Sequence, residues 1–294
     1  VEEYNAWSNY FRKVIEPQPT WTPEQHSTTL IPLAGAGSRF AKVGYKDPKP
    51  LLDVSGKAMI IQANDQLPES EFNAYVCLQD HIDHYRVDDA IKAVQANAKI
   101  KIINQVTEGQ AITCELGLED VSDDSPLLIA ACDNGMLWDH SKYQELIDNQ
   151  DIDAIIWTFK GHPSSRENPQ MYGWVNTNEG SALIKATGVS VKQAISDTPE
   201  KDHAIVGTFY FRQSALFKQA LKQLVSDNTR INGEFYVDSL MGVLVEMDYK
   251  VAVFEVDSYI GWGTPNDYET FKYWQSYFHK TTNHPYDISL DPTV

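Results

Sequence analysis

From Thr29 onward the chain repeats one pattern: a short apolar or β-branched run, a turn, then a stretch whose apolar residues recur at three- and four-residue spacing. The runs fall at residues 30–34, 73–78, 99–104, 126–131 and 154–159. The helical stretches fall at 58–67, 81–97, 110–118, 141–148, 214–226, 235–247 and 266–279. Parallel strands need long crossovers and helices supply them, so the alternation predicts an α/β domain, Rossmann-like and doubly wound, with a predominantly parallel sheet. After Phe159 the alternation weakens. Residues 172–175 and 182–186 read as an inserted β-hairpin that makes the sheet mixed, and the runs 204–211 and 251–256 rejoin it.

Residues 1–29 differ from the rest. An amphipathic, aromatic stretch (Tyr4, Trp7, Tyr10, Phe11, Val14, Ile15) reads as a helix of about three turns, followed by a semi-rigid linker between Pro17 and Pro23. The expected organisation is a helix and linker at 1–29, one domain at 30–280 and a tail at 281–294. A chain that opens on Val is compatible with processing or with excision from a longer polypeptide. The helix's aromatic face needs a partner, either within the chain or in an oligomer.

Among 294 residues, 24 Lys+Arg face 41 Asp+Glu, a net charge of −17. That balance argues against nucleic acid and anionic membranes as partners, so an anionic ligand must meet a focused positive pocket. Cys77, Cys114 and Cys132 are scattered and odd in number, which fits reduced thiols in a cytoplasmic protein. No apolar run approaches the roughly 20 residues of a membrane helix.

The chemistry concentrates where the first strand runs into Ala34-Gly35-Ala36-Gly37-Ser38-Arg39, followed by Pro48-Lys49-Pro50 and Gly56-Lys57. A glycine-rich turn after a strand exposes backbone N–H groups that wrap polyphosphate oxygens. Arg39 and Lys49 add charge where a leaving pyrophosphate would build up negative charge. Two familiar phosphate loops do not fit. A Walker A loop ending at Gly56-Lys57 fails at Leu51 and Ala58, and a dinucleotide G-x-G-x-x-G fails at Phe40. Read alone, the Gly-x-Gly is equally well an ordinary tight turn, and Asp133, at the end of an apolar run, is more often a helix or turn cap.

Taken together these segments resemble the signature of the sugar-phosphate nucleotidyltransferases. The resemblance extends over most of residues 28–275 through Gln105-x-x-x-Gly109-Gln-Ala111, 126–134 ending in Asp133-Asn134, Pro169-x-x-Tyr172-Gly173, Asn232-Gly-Glu234 and Gly263-Thr-Pro265. Several blocks are similar to the subgroup found in bacterial capsule gene clusters. The resemblance implies a nucleotide-diphospho-sugar transferase type of fold. It also implies transfer of a nucleotidyl group from a nucleoside triphosphate to a phosphorylated acceptor, by default a sugar 1-phosphate, with Mg²⁺ as cofactor.

It further implies roles. Arg39, Lys49 and Asp133 would be catalytic, with 34–38, Gln105 and Gly109 holding the nucleotide. Tyr172, Gly173, Lys192 and Glu234 would hold the acceptor. Relatives carry a second metal-binding Asp two residues before the glycine of Gly-Thr-Pro. Here that position is Gly261, so either Asp257 substitutes beside Asp133 or the metal relies on Asp133, phosphates and water. The resemblance to capsule-type proteins also implies an oligomer or a fusion to another catalytic domain. The competing readings are a glycosyltransferase of related fold and a non-catalytic nucleotide-binding domain.

Overall fold

The computed structural model describes every residue except Val1, Gln18, Ala36 and 179–182. The chain runs through α1 (Glu2–Lys13), β1 (Thr28–Leu33), α2 (Ser38–Lys42), β2 (Asp53–Val54), β3 (Lys57–Ala58), α3 (Met59–Asp65), β4 (Phe72–Leu78), α4 (Gln79–Tyr85), α5 (Val87–Val94), β5 (Lys99–Ile103), α6 (Gln110–Gly117), β6 (Leu127–Ile129) and β7 (Asn134–Leu137). It continues through α7 (His140–Asp148), β8 (Ala154–Phe159), α8 (Pro163–Glu167), β9 (Gly173–Thr177), β10 (Ala186–Val191), β11 (His203–Phe211), α9 (Ser214–Ser226), α10 (Val237–Glu246), β12 (Val251–Glu255), β13 (Ser258–Gly261) and α11 (Pro265–Lys280).

Nine strands form one mixed sheet whose main path is β10-β9-β11-β6-β1-β4-β5, with β8 pairing β11 and β12. β1, β4, β5, β6, β8, β9 and β12 run one way, and β10 and β11 run the other. The sheet is covered on both faces, and the two-residue period shows in adjacent side chains. Leu30 joins Val76, Cys114 and Phe217 on one face, while Ile31 joins Tyr75, Ile91 and Trp157 on the other. β8 is buried at all six positions, as expected of an inner strand with helices on both sides.

A third cluster settles where the aromatic stripe of α1 goes. Trp7, Tyr10, Phe11 and Val14 are buried against Phe271 and Phe278 of α11 and against Tyr286. Residues 281–294 take part in this packing: the Tyr286 hydroxyl donates to Asp291 at 2.7 Å and accepts from Gln275 at 3.0 Å. The segment from 81 to 97 folds as two helices, because Arg86 adopts a left-handed conformation (φ 54) that reverses the chain and lets Val87 and Ile91 bury. The hairpin is present, but its second strand begins at Ala186; residue 182 lies outside the described residues. Short antiparallel pairing between β7 and β13, with Gly261 opposite Asn134, was not legible from periodicity and turns out to frame the site.

Candidate active site

β1, β4, β5 and β6 are mutually parallel, so their C-terminal ends share one edge of the sheet, the edge where α/β folds bind ligands. The glycine turn leaves β1 there. Gly37 takes φ 60 at the start of α2, and Phe40 fixes that helix by burying against Tyr45 and Tyr268. Ser38 and Arg39 are exposed on it, and Ala36 lies outside the described residues. Pro48 and Pro50 brace a tight 3₁₀ turn that carries Lys49. Asp133 emerges just past β6 and is held through its backbone, the carbonyl accepting from Trp262 N–H at 2.8 Å.

Lys49 and Asp133 meet: Nζ donates to Oδ2 at 2.7 Å, with both side chains about three-quarters buried. Burial opposes both charges, but the pairing outweighs it. Against that burial, Asp133 and its hydrogen bond push the Lys49 ammonium above its ordinary range, while Lys49 and then Arg39 hold the Asp133 carboxyl below its own. Arg39 also acts on Lys192. Three cations of an acidic chain thus converge on one end of the sheet.

Beside them lies a cavity of about 240 Å³, lined among others by Gly35, Gly37, Lys49, Thr107, Gly109 and Glu234. Thr107 supports its wall, its hydroxyl donating to Gly109 O at 2.8 Å and sharing a 2.6 Å hydrogen bond with Thr113. Gly109, at φ 129, packs so closely on Phe235 that an added Cβ would stand 2.5 Å from its backbone N and O. Phe235 N–H bonds Glu108 O, Ala111 N–H bonds Phe235 O, and the Arg230 guanidinium both pairs with Glu108 and covers the Phe235 ring. Glu234, assigned to the acceptor by resemblance, is therefore brought to this cavity. Gln105 is exposed just beyond β5, and Val106, Thr107 and Gly109 make the nearby wall. A larger recess of about 790 Å³ opens at the other end of the strands, near Thr28, Phe72 and Lys99, away from this constellation.

On the other side of Asp133, Tyr172 is buried with its hydroxyl 2.5 Å from Ser164 Oγ, and Gly173 begins β9. Lys192 follows β10, and its Nζ donates to Met171 O at 2.5 Å.

Residues 29–274 match the family described as nucleotidyl transferase. The chain belongs to that family. Among curated proteins, this nucleotidyl transferase is similar to the bifunctional protein GlmU of Staphylococcus saprophyticus, 22% identical over 236 residues covering 80% of this chain and 49% of the relative. The GlmU of Pediococcus pentosaceus is 27% identical over 78% of this chain and 46% of its own length. The chain spans about half the length of these relatives. In fold it resembles a nucleoside-diphosphate-sugar pyrophosphorylase from Vibrio cholerae, with TM-score 0.67, 20% identity and coverage of 83% of this chain and 98% of the other. It also resembles a UDP-glucose pyrophosphorylase bound to UDP-glucose, with TM-score 0.66, 16% identity and coverage of 87% and 99%.

One residue expected at the metal is not brought there. Asp257 precedes β13, and its backbone N–H bonds Leu137 O at the end of the β7–β13 pair remote from Asn134. Its carboxylate is 4.0 Å from Lys13 of α1. Four residue steps, at about 3.3 Å each, separate Asp257 from Gly261, so it cannot share a ligand with Asp133. At Gly261 an added Cβ would meet the Tyr259 hydroxyl at 3.4 Å, so Tyr259 fills the space a longer side chain would use.

Asp267 was missed by sequence reasoning. Thr264 caps α11 and bonds the Asp267 carboxylate at 2.6 Å, and its carboxyl is pushed up by burial, with neighbouring Asp133 adding to the rise. The signal was the capping-box spacing Thr264-x-x-Asp267. Among the described residues, no group of three His, Cys, Asp or Glu side chains gathers to hold a metal. The donor set still fits Mg²⁺, which is ordinarily held by one or two carboxylates plus substrate phosphates and water, with Asp133 the fixed carboxylate.

Proposed function

We propose that this nucleotidyl transferase couples a nucleoside triphosphate to a phosphorylated small molecule, by default a sugar 1-phosphate, releasing pyrophosphate. The observation that carries the reading is the Lys49–Asp133 pair set at the mouth of the glycine turn, with Arg39 and Lys192 acting on the same point. The triphosphate lies along residues 34–38, its base against the wall around Thr107 and Gly109. The acceptor enters from the side of Tyr172, Gly173 and Lys192.

An oxygen of the acceptor phosphate attacks the α-phosphorus in line; the new P–O bond forms as the bond to the β-phosphate oxygen breaks, and its electron pair leaves with pyrophosphate. The acceptor phosphate is already ionised at neutral pH, so no general base and no covalent protein intermediate are needed. Lys49 and Arg39 neutralise the departing pyrophosphate, and Lys192 orients the attacking phosphate. Mg²⁺, held by Asp133 and the triphosphate, would supply further charge neutralisation. The similarity to GlmU and to sugar-nucleotide pyrophosphorylases supports a sugar phosphate as acceptor. The sequence resemblance extends the proposal to capsule or other surface polysaccharide synthesis.

Pyrophosphate release measured with Mg²⁺ across ATP, CTP, GTP, UTP and dTTP, each against hexose 1-phosphates, heptose phosphates and phosphocholine, tests it. Release that requires one triphosphate and one acceptor is the expected result. Tight nucleotide binding without release from any pair would overturn it in favour of a binding domain.

A further inference from the structure

Asp238 stands in the first turn of α10, half-buried, and no described side chain donates a hydrogen bond to its carboxylate. It occupies room that exists because residue 173 is glycine: a Cβ added to Gly173 would come within 2.3 Å of its Oδ2. Gly173 pairs with Val191 across β9 and β10. The next residue, Lys192, turns left-handed (φ 62), with its N–H bonded to Tyr172 O at 3.0 Å. That turn brings its ammonium to Met171 O and to 5.5 Å from the centre of the Tyr236 ring. Asp238 and Lys192 therefore flank the same glycine, close enough to act on one another. Yet, unlike Lys49 and Asp133, they do not close into an ion pair within 4 Å.

A half-buried carboxylate supported only by its own backbone N–H and the helix N-terminus, with no side-chain donor, gains from a nearby cation, and the cation it faces is Lys192. We propose that Asp238 is the positioning residue for Lys192: its carboxylate, seated on Gly173, holds the ammonium at the acceptor side of the cleft until an acceptor phosphate takes over as counter-charge. The inference rests on the reading of Lys192 as the acceptor-phosphate residue. It explains why Lys192 keeps two N–H donors uncommitted beyond the one given to Met171. It also gives Gly173 a role, since any side chain there would evict the carboxylate.

Two experiments test it. The first needs no substrate: the acetylation rate of each lysine by acetic anhydride is mapped by mass spectrometry at pH 8. Burial pulls the Lys192 ammonium down and Asp238, with Asp133 and Glu234, pulls it up, while Arg39 works against it. Asp238→Asn should therefore raise labelling of Lys192 several-fold with other lysines unchanged, and Asp238→Glu should restore the parent rate. Unchanged labelling in Asp238→Asn would overturn the inference, as would Asp238→Glu behaving like Asn.

The second is a double-mutant cycle on the pyrophosphate-release assay, using the acceptor that assay selects. Asp238→Asn and Lys192→Ala should each raise the acceptor KM about tenfold or more while leaving the triphosphate KM within about twofold, and the double variant should match Lys192→Ala. Independent, multiplying effects would mean that Asp238 touches the acceptor itself, and would overturn positioning. If Lys192→Ala leaves the acceptor KM unchanged, the acceptor-site reading fails. If only Asp238→Asn does so, the inference fails alone.

Discussion

Replacing Gly109 by alanine tests whether the cavity wall proposed to face the nucleotide and the loop carrying Glu234 are built as one unit. At φ 129 and ψ 170, Gly109 occupies a backbone region open essentially to glycine, and placing another residue there costs about 1–3 kcal/mol. The added Cβ would also stand 2.5 Å from the N and O of Phe235, groups already engaged with Glu108 O at 2.9 Å and Ala111 N at 3.0 Å. The obstacle is backbone, not the end of a flexible side chain. Relief therefore means parting the two segments and losing both hydrogen bonds, at about 1 kcal/mol each. Together the loss is about 3–5 kcal/mol, a large share of the roughly 5–15 kcal/mol that holds a typical domain folded. Because Thr107, Gly109 and Glu234 line the same cavity, the variant that still folds should also bind its triphosphate about tenfold more weakly. Denaturant unfolding measures the first loss and nucleotide titration the second. A variant within about 1 kcal/mol of the parent, with unchanged nucleotide affinity, would refute the close approach as a structural requirement.

Lys49→Ala and Asp133→Asn should each lower turnover on the order of a hundredfold or more with the fold intact by circular dichroism; near-parental rates would sink the assignment. The same pair has a signed pH signature. Asp133 is held below its ordinary 3.8, so its stabilisation is present above about pH 4 and lost as pH falls through its folded value; Lys49 is held above 10.5, so its share is complete below that pH and lost as pH rises beyond it. Asp133→Asn should therefore flatten the acid limb of the stability curve. Burial pushes His162 and His203 each down to about 4, so the unfolded chain takes up their protons first as pH falls below 6.5. Stability should drop between pH 6.5 and 4 by up to about 1.4 kcal/mol per pH unit per histidine, and His162→Asn or His203→Gln should each remove about one proton from that slope. Phe11→Ala, at a fully buried position between Phe271 and Tyr286, should cost about 3–5 kcal/mol in unfolding experiments; a loss under about 1 kcal/mol would mean that α1 is dispensable to the core.

The sheet was legible because its strands announce themselves locally. Residues 154–159 and 214–226 were read with the bounds the structure has, since a fully apolar six-residue run and a clean three-and-four spacing leave little choice. What escaped depends on contacts distant in sequence. Asp257 lies only four residues from Gly261, but the register of two four-residue strands decides that it faces Lys13 and not Asp133, and strands that short carry no alternation to read. Asp238 and Asp267 each stand in the first turn of a helix, where attraction to the helix dipole already accounts for a carboxylate. Only their tertiary neighbours, Gly173 for one and Asp133 for the other, set them apart. Glu234 was singled out only by its place in a motif; the backbone exchange between Phe235 and the 108–111 turn is what brings it to the cavity beside Gly35 and Gly37, where it also acts on Lys192.

The charge arrangement follows a logic that neither composition nor motif states. A chain of net charge −17 repels phosphates at long range, so affinity must come from a short-range field in which cations outweigh their surroundings. Cations left alone in a half-buried cleft would lose their protons or collapse onto the nearest carboxylate. Lys49 stays charged against Asp133, and Lys192 stays near Asp238 without closing on it. Each carboxylate is a weaker partner than a phosphate dianion, so an arriving substrate replaces an internal counter-charge instead of meeting a bare one. On the proposed reading the exchange lowers net affinity, and the two cations answer to two different ligands, Lys49 to the triphosphate and Lys192 to the acceptor phosphate.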